Sequence, residues 1–143
     1  MKAAITRIIY SDLGSVLNNC FMLLFRIIVS LELIVVHGLK KVGVGVTQAE
    51  IVPNPLGFPE TFNHVFAVSA NIVFPLFVIF GFFTRLATLP ILAVTLTGYF
   101  VVHGHDPLLE RDIPFMYSMV FLLILALGPG KYSLDGKFIT AIK

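Results

Sequence analysis

Charged residues are scarce in this chain. Aspartate, glutamate, lysine and arginine make up 13% of its 143 residues, whereas 57% are hydrophobic and the mean hydropathy is +0.95. Soluble domains carry about a quarter charged residues, so this chain has too few to solvate a globular surface of its size. The composition excludes an ordinary soluble domain and predicts an integral membrane protein that forms a single domain over residues 1–143.

Cysteine and basic clusters are almost missing too. The single cysteine, Cys20, cannot form a disulfide within the chain, which excludes chemistry that needs an internal Cys-x-x-Cys pair. The net charge is only +2, and there is no run of basic residues interleaved with aromatic ones. We therefore expect membrane lipid as a partner and no nucleic acid.

Four apolar runs account for most of the composition. They lie at about 16–37, 63–83, 86–103 and 113–128, with lengths that suit helices crossing a hydrocarbon core of ~30 Å. The second and third runs are only a few residues apart, so they must form an antiparallel hairpin. The sequence therefore predicts an all-α fold, a polytopic bundle of four antiparallel transmembrane helices.

The remaining segments indicate turns, loops and flanks. The loop 42–62 is rich in proline, which favours turns and extended chain, and the pair Asp135–Gly136 indicates a turn in the tail. Residues 1–15 suit either an interfacial helix or a positively charged flank. Six lysines and arginines fall on one side of the bundle and three on the other. This bias predicts that both termini lie in the cytoplasm.

Two charged residues lie inside the first apolar run. Arg26 and Glu32 would each be costly in lipid unless they face a partner or water. Arg26, Ser30 and His37 return to one helix face at 3.6 residues per turn. We expect this face to point inward, toward the other helices.

The second run carries a matching polar face. His64 and Asn71 share one side of that helix. Pro75 has no N–H that could bond the backbone carbonyl of Asn71, four residues earlier. This carbonyl is therefore free, at the same membrane depth as the side-chain amide of Asn71. We expect Glu32 near the level of Asn71. Further polar residues could extend the network: Thr95, Tyr99, Tyr117 and Ser118.

These faces predict a polar pocket between the helices, open toward the outer side, for a quinone head group or an oxyanion. The alternative is a structural network that fixes the register of the helices. The candidate ligand-binding residues are Arg26, Ser30, Glu32, His37, His64, Asn71, Tyr99 and His103.

The histidines fall at one end of the predicted bundle. Imidazoles suit zinc, copper or iron, and a carboxylate could complete the set. The candidate metal ligands are His37, His64, His103, His105 and Asp106. One alternative is that polar residues simply gather where helices meet lipid head groups. Another is a haem held by two of the histidines.

Several short motifs, in this order and spacing, resemble those of the DoxX family of small four-helix membrane proteins. They are Arg26 with His37-Gly38-Leu39-Lys40-Lys41, Phe80-Gly81-Phe82-Phe83-Thr84-Arg85, His103, and Gly128-Pro129-Gly130-Lys131-Tyr132-Ser133-Leu134-Asp135. The resemblance implies a multi-pass protein of the cytoplasmic, or inner, membrane. Some members of the family are similar to the small subunit of a thiosulfate:quinone oxidoreductase, and others are linked to membrane complexes for oxidative stress or thiol redox.

The chain departs from this family pattern at one position of the predicted pocket. Family members often carry a glutamate ten residues before the turn glycine, where this chain has Asn71. Glu32, which lies on the first helix, could take over the proton-linked role of that glutamate.

The leading hypothesis is a small integral membrane subunit of a redox-associated complex, linked to quinones or to thiol and sulfur chemistry. In the predicted pocket, Arg26 would hold an anionic or carbonyl oxygen, and Glu32 would accept or relay a proton. No cofactor motif is evident, so quinone is the candidate cofactor and a redox subunit the candidate partner. A homo-oligomer is also compatible. Alternatives are a small-solute transporter or efflux component, and a metal-binding membrane protein.

Overall fold

The structure, a computed structural model, describes residues 11–142, with side chains to residue 138. This part of the chain is helical and contains no strand. Its helices are α1 (Val16–Lys41), α2 (Glu60–Phe80), α3 (Thr84–Val102), α4 (Asp112–Leu127) and α5 (Leu134–Ile142). The first three are long and apolar enough to cross a membrane, and α4 is a shorter apolar helix. The predicted four-helix membrane bundle is confirmed, while the expectation for the N-terminal segment falls mostly on residues 1–10, outside the described residues.

Helix α1 begins with a side-chain cap and runs further than predicted. The Oγ of Ser15 accepts a hydrogen bond from the N–H of Asn18 at 3.0 Å, which satisfies one of the free donors of the first turn. The helix continues past residue 37 to Lys41 through a π-helical stretch at Leu33–Gly38. Spacings of three and four residues place one face inward, and its buried members are Asn19, Met22, Arg26 and Ser30.

Helix α2 is interrupted at Ile72, where φ and ψ are −125° and −59°. Because Pro75 has no N–H, the carbonyl of Asn71 loses its helical partner, which explains the break. Gly38 of α1 packs against this carbonyl so closely that a Cβ atom would lie 2.7 Å from the oxygen. The missing side chain of Gly38 therefore allows α1 and α2 to meet at the break.

The turn between α2 and α3 is closed by Asp135, from the beginning of α5. Gly81 ends α2 in the left-handed conformation, with φ of 69°. The carboxylate of Asp135 accepts hydrogen bonds from the N–H groups of Phe83 at 2.8 Å and Thr84 at 3.0 Å. Its own N–H donates to the carbonyl of Gly81 at 2.9 Å. Asp135 thus caps α3 from a distant part of the chain.

The tail forms a helix where the sequence indicated a turn, so that prediction is wrong. Asp135 and Gly136 both lie in the first turn of α5. The Oγ of Ser133 accepts a hydrogen bond from the N–H of Gly136 at 3.0 Å and starts the helix. An Asp–Gly pair favours a turn when the carboxylate bonds its own local backbone, but here the carboxylate is engaged by the α2–α3 turn.

The spanning helices pack in sequence order. Helix α1 lies against α2, α2 against α3 and α3 against α4, while α1 and α4 have little close backbone contact. Buried apolar side chains fill the centre: Leu33, Val78, Ala87, Ile91, Leu92, Phe121 and Ile124. The exterior is also apolar; for example, Leu17 is 78% exposed and Phe21 is 68% exposed. Such an exterior suits lipid, since water-soluble monomers rarely expose contiguous apolar surface of this extent.

The α1–α2 connection, residues 42–59, consists of turns and extended chain, as its prolines predict. It folds back onto the end of α1, where the N–H of Glu50 donates to the carbonyl of Lys40 at 3.0 Å. The carboxylate of Glu50 pairs with the ammonium groups of Lys40 and Lys41, each at 3.2 Å. Glu50 therefore anchors the loop.

We predict that Asp135→Ala lowers the free energy of unfolding by at least about 2 kcal/mol, because the buried donors of Thr84 and the partly buried N–H of Phe83 lose their acceptor. Denaturant unfolding in detergent, followed by circular dichroism, measures this loss. Glu110→Ala is the control, since Glu110 is exposed and its replacement should change stability by less than about 0.5 kcal/mol. A loss for Asp135→Ala no larger than that of the control would contradict the capping role.

We also predict that acid releases the loop. Partial burial raises the pKa of Glu50, but attraction to Lys41 and hydrogen bonds from both lysines lower it further, so the pKa lies below the ordinary 4.5. A carboxyl with a lowered folded pKa stabilises the folded state above its unfolded pKa and loses this contribution as the pH falls through its folded pKa. The hydrogen-exchange protection factor of the Glu50 amide should therefore hold from pH 7 to pH 5 and fall below about pH 4.

Glu50→Gln is the matched variant for this measurement. It should show reduced protection of the residue 50 amide already at pH 7, by a few-fold only, because the pair is partly exposed and such pairs contribute less than about 1 kcal/mol. Equal protection of the two proteins at pH 7 would count against the ionic anchor.

Candidate functional site

A cavity of about 580 Å³ lies in the half of the bundle next to the α1–α2 loop. Each spanning helix contributes to its mostly apolar lining, for example through Leu33, Ala67, Val94 and Ile113. The loop covers it with Pro53, Pro55, Leu56 and Phe58. Sites for small organic molecules have volumes of roughly 300–1,000 Å³ and similar linings, so this cavity is the candidate site.

Tyr117 of α4 connects the cavity to α1. Its hydroxyl donates a hydrogen bond to Oε2 of Glu32 at 3.0 Å. Its ring packs edge-on against the ring of His37, with centroids 5.2 Å apart. His37 and Tyr117 line the cavity, whereas Glu32 is exposed on the exterior of α1. These side chains bridge the gap between two helices whose backbones stay apart.

Asn71 places an amide at the break in α2. It is 5% exposed, and its Nδ2 donates to the carbonyl of Ala67 at 2.7 Å. Its Oδ1 accepts no hydrogen bond from the residues that the structure describes. Because the side chain lines the cavity, this oxygen is available to a ligand.

Irregular helix geometry surrounds the cavity. The π-helical stretch Leu33–Gly38 carries His37, and a second stretch, Gly98–Val102 in α3, begins with a glycine of the lining. π-helical turns occur frequently at functional sites. Together with the break at Ile72, they make three of the four spanning helices irregular beside the cavity.

The structure places Arg26 outside this cavity. The side chain is fully buried, and its guanidinium donates to the carbonyls of Val78 at 3.3 Å and Tyr132 at 2.8 Å. Asp135 adds electrostatic attraction. Ser30, one turn further along α1, is also fully buried outside the lining, and its Oγ has no partner among the described residues. Arg26 therefore joins α1 to the end of α2 and to the tail.

The shared crevice expected for Arg26 and Glu32 does not form. Six residues along a helix rotate the side chain by roughly 240°, so the two groups point to different sides. Gly38, not Glu32, packs at the level of Asn71, and Glu32 lies about 9 Å away along the axis of α1. The predicted pocket is thus divided between the cavity and a separate buried network around Arg26.

The histidines share one end of the bundle but do not converge. His37 and His103 line the cavity, and Nδ1 of His103 lies 2.7 Å from Oδ2 of Asp106. His64 and His105 are exposed and do not contribute to the lining. In the part of the chain that the structure describes, no three His, Cys, Asp or Glu side chains gather to hold a metal. Metal binding by these residues stays a prediction.

Tyr99 serves the α3–α4 connection and not the cavity lining. The Cζ atom of Arg111 lies 4.8 Å from its ring centroid, a cation–π contact. Arg111 also donates to the carbonyl of Gly104 at 2.8 Å. The pair therefore fixes the segment that leads from α3 into α4.

Sequence reasoning missed the charged rim of the cavity. Lys40, Lys41 and Glu50 all belong to the lining, but Glu50 reaches it only because the loop folds back, and no local pattern signals this. The bridge between Tyr117 and Glu32 had one usable signal, a tyrosine inside an apolar helix that must find a polar partner when buried.

The family model DoxX matches residues 21–104, more than half of the chain. A Haemophilus influenzae protein described as uncharacterized is 27% identical over 81 residues, which are 54% of this chain and 54% of that protein. The chain therefore spans about half the length of this relative. No solved structure matches the chain. With most of α1 and all of α2 and α3 inside the matched region, the chain belongs to the DoxX family of membrane proteins.

Proposed function

We propose that this DoxX protein is a small membrane subunit that binds a quinone-class ligand in its cavity. It would serve a redox-associated membrane complex linked to quinones or to thiol and sulfur chemistry. The proposal depends on one observation, a cavity of about 580 Å³ with apolar walls and a few polar groups. This combination is typical of sites for small organic ligands.

The polar groups suit the oxygens of a quinone ring. His37, Asn71 and Tyr117 come from three helices and line the same cavity. Imidazole and amide groups can donate a hydrogen bond to a ring oxygen, and the hydroxyl oxygen of Tyr117, whose hydrogen is bound to Glu32, can accept one from a ring hydroxyl. The apolar lining would hold the ring face and its hydrocarbon substituent. Such a ligand dissolves in the bilayer, so it is available where the protein resides.

The electron donor of this proposal is a partner subunit. Cys20 is the single cysteine and cannot form a dithiol couple within the chain. The chain would hold the quinone, and the partner would oxidise the thiol or sulfur substrate.

We predict that filling the cavity prevents quinone binding. Ala67 lines the cavity and is 4% exposed, so Ala67→Phe places a ring in the volume of the ligand. Affinity for decylubiquinone, measured by titration in lipid nanodiscs, should fall at least about tenfold. Ala126→Phe is the control, because Ala126 is exposed and does not contribute to the lining.

Two outcomes would contradict the proposal. One is the absence of measurable binding to the unchanged protein. The other is a folded Ala67→Phe variant, with a thermal transition like that of the control, that still binds the quinone with unchanged affinity.

A second candidate function, a small-solute transporter, is favoured by the break in α2 at Ile72 beside the cavity. Secondary transporters often bind their substrates at discontinuous helices. Proteoliposomes separate the two candidates. Uptake of radiolabelled thiosulfate without quinone binding supports the transporter, and quinone binding without uptake supports the subunit.

A further inference from the structure

We infer that the cavity prefers a ring that carries a hydrogen-bond donor, a phenol or hydroquinone hydroxyl, over a ring with carbonyl oxygens alone. This inference rests on the proposed function, since it specifies which form of the ring the same cavity holds. It follows from two side chains of the lining, Asn71 and Tyr117, which each present an acceptor that receives no hydrogen bond from the described residues.

Asn71 presents the first acceptor. The carbonyl oxygen of Ala67 can only accept, so the amide atom 2.7 Å from it must be Nδ2. Oδ1 therefore lies on the other side of the amide, where it accepts no hydrogen bond from the described residues. The side chain as a whole is only 5% exposed, but Oδ1 is not among the fully buried atoms that lack a partner, so it is accessible from the cavity that Asn71 lines. A ligand that brings a donor can therefore form a hydrogen bond with it.

A hydroxyl matches the Asn71 amide better than a carbonyl does. It can donate to Oδ1 and also accept from the second hydrogen of Nδ2. A carbonyl can use only that hydrogen, and its lone pairs then face the lone pairs of Oδ1.

Tyr117 presents the second acceptor. Its single hydroxyl hydrogen is donated to Oε2 of Glu32 at 3.0 Å. Glu32 lies outside the cavity lining, so this bond directs the hydrogen away from the ligand. Only the lone pairs of the Tyr117 oxygen remain for a bound ring.

The ammonium groups at the rim are engaged in part, since each has three N–H donors and bonds one or two protein acceptors. The ammonium groups of Lys40 and Lys41 each lie 3.2 Å from the carboxylate of Glu50. Lys41 also donates to the carbonyl of His37 at 3.2 Å. The neutral ring of His37 offers one donor and one acceptor and so favours neither form. At Asn71 and Tyr117, the acceptors therefore favour the reduced, hydroxyl-bearing form of a quinone-class ligand.

Two probe ligands isolate the contribution of the ligand's hydrogen-bond donor. 4-Heptylphenol and its methyl ether, 4-heptylanisole, differ only in the hydroxyl hydrogen and the methyl group that replaces it. Calorimetric titration into protein in nanodiscs of one lipid composition, with empty nanodiscs as the reference for partitioning, measures both affinities. We expect the phenol to bind about fivefold tighter than the ether.

Variants of Asn71 and Tyr117 test the origin of this preference. Asn71→Leu has a similar size without the polar atoms, and it should bind the phenol no better than the ether while its affinity for the ether is unchanged. Tyr117→Phe should also reduce the preference, and it provides the test if Asn71→Leu fails to fold. Asn18→Leu is the control, because Asn18 is exposed at the other end of α1, and it should keep the full preference.

Equal affinities of the two probes for the unchanged protein would overturn the inference but not the proposed function. A full preference for the phenol in the folded variants of Asn71 and Tyr117 would do the same. If neither probe nor decylubiquinone binds the unchanged protein, the proposed function itself is overturned.

Discussion

A bilayer supplies no water to an unpaired backbone group, so a break in a spanning helix is tolerated only where it is buried in protein or lines a cavity. In α2, the carbonyl freed by Pro75 packs against Gly38 of α1. At the turn between α2 and α3, Asp135 accepts the hydrogen bonds of the free N–H groups. The first break borders the cavity and the second closes the opposite end of the bundle. One constraint thus shapes the candidate site and holds the helices together.

Arg26 contributes to the same end by donating hydrogen bonds to backbone carbonyls inside the bundle. A guanidinium is always charged and carries five N–H donors, so it can bond carbonyls that still have a lone pair free, such as that of Val78, which also accepts from the N–H of Gly81 at 3.1 Å. Its bonds to the carbonyls of Val78 and Tyr132, together with the attraction of Asp135, offset the cost of removing it from water. In the sequence, the charge of Arg26 indicates a ligand site. In the folded chain, its guanidinium instead joins α1 to the end of α2 and to the tail.

The helices were predictable from the sequence because apolar length and turn residues are local signals. The arrangement of polar groups was not, because the π-helical stretch of α1 and the break in α2 shift the register of the facing residues. Glu32 and Asn71 consequently lie at different levels. The local sequence around Asp135 indicates a turn, but its carboxylate accepts a hydrogen bond from the backbone N–H of Phe83, 52 residues away. Glu50 reaches the cavity only because its loop folds back over α1.

The contacts of Arg26 also define how much chain is needed for autonomous folding. The family signature ends at residue 104, yet one of the two carbonyls that Arg26 bonds belongs to Tyr132. The cap of α3 comes from Asp135, about thirty residues after the signature. A fragment that stops with the signature would bury a guanidinium with half of these bonds missing and would leave the α4 side of α3 uncovered. The smallest cooperative unit of this protein therefore extends through α4 into the first turn of α5.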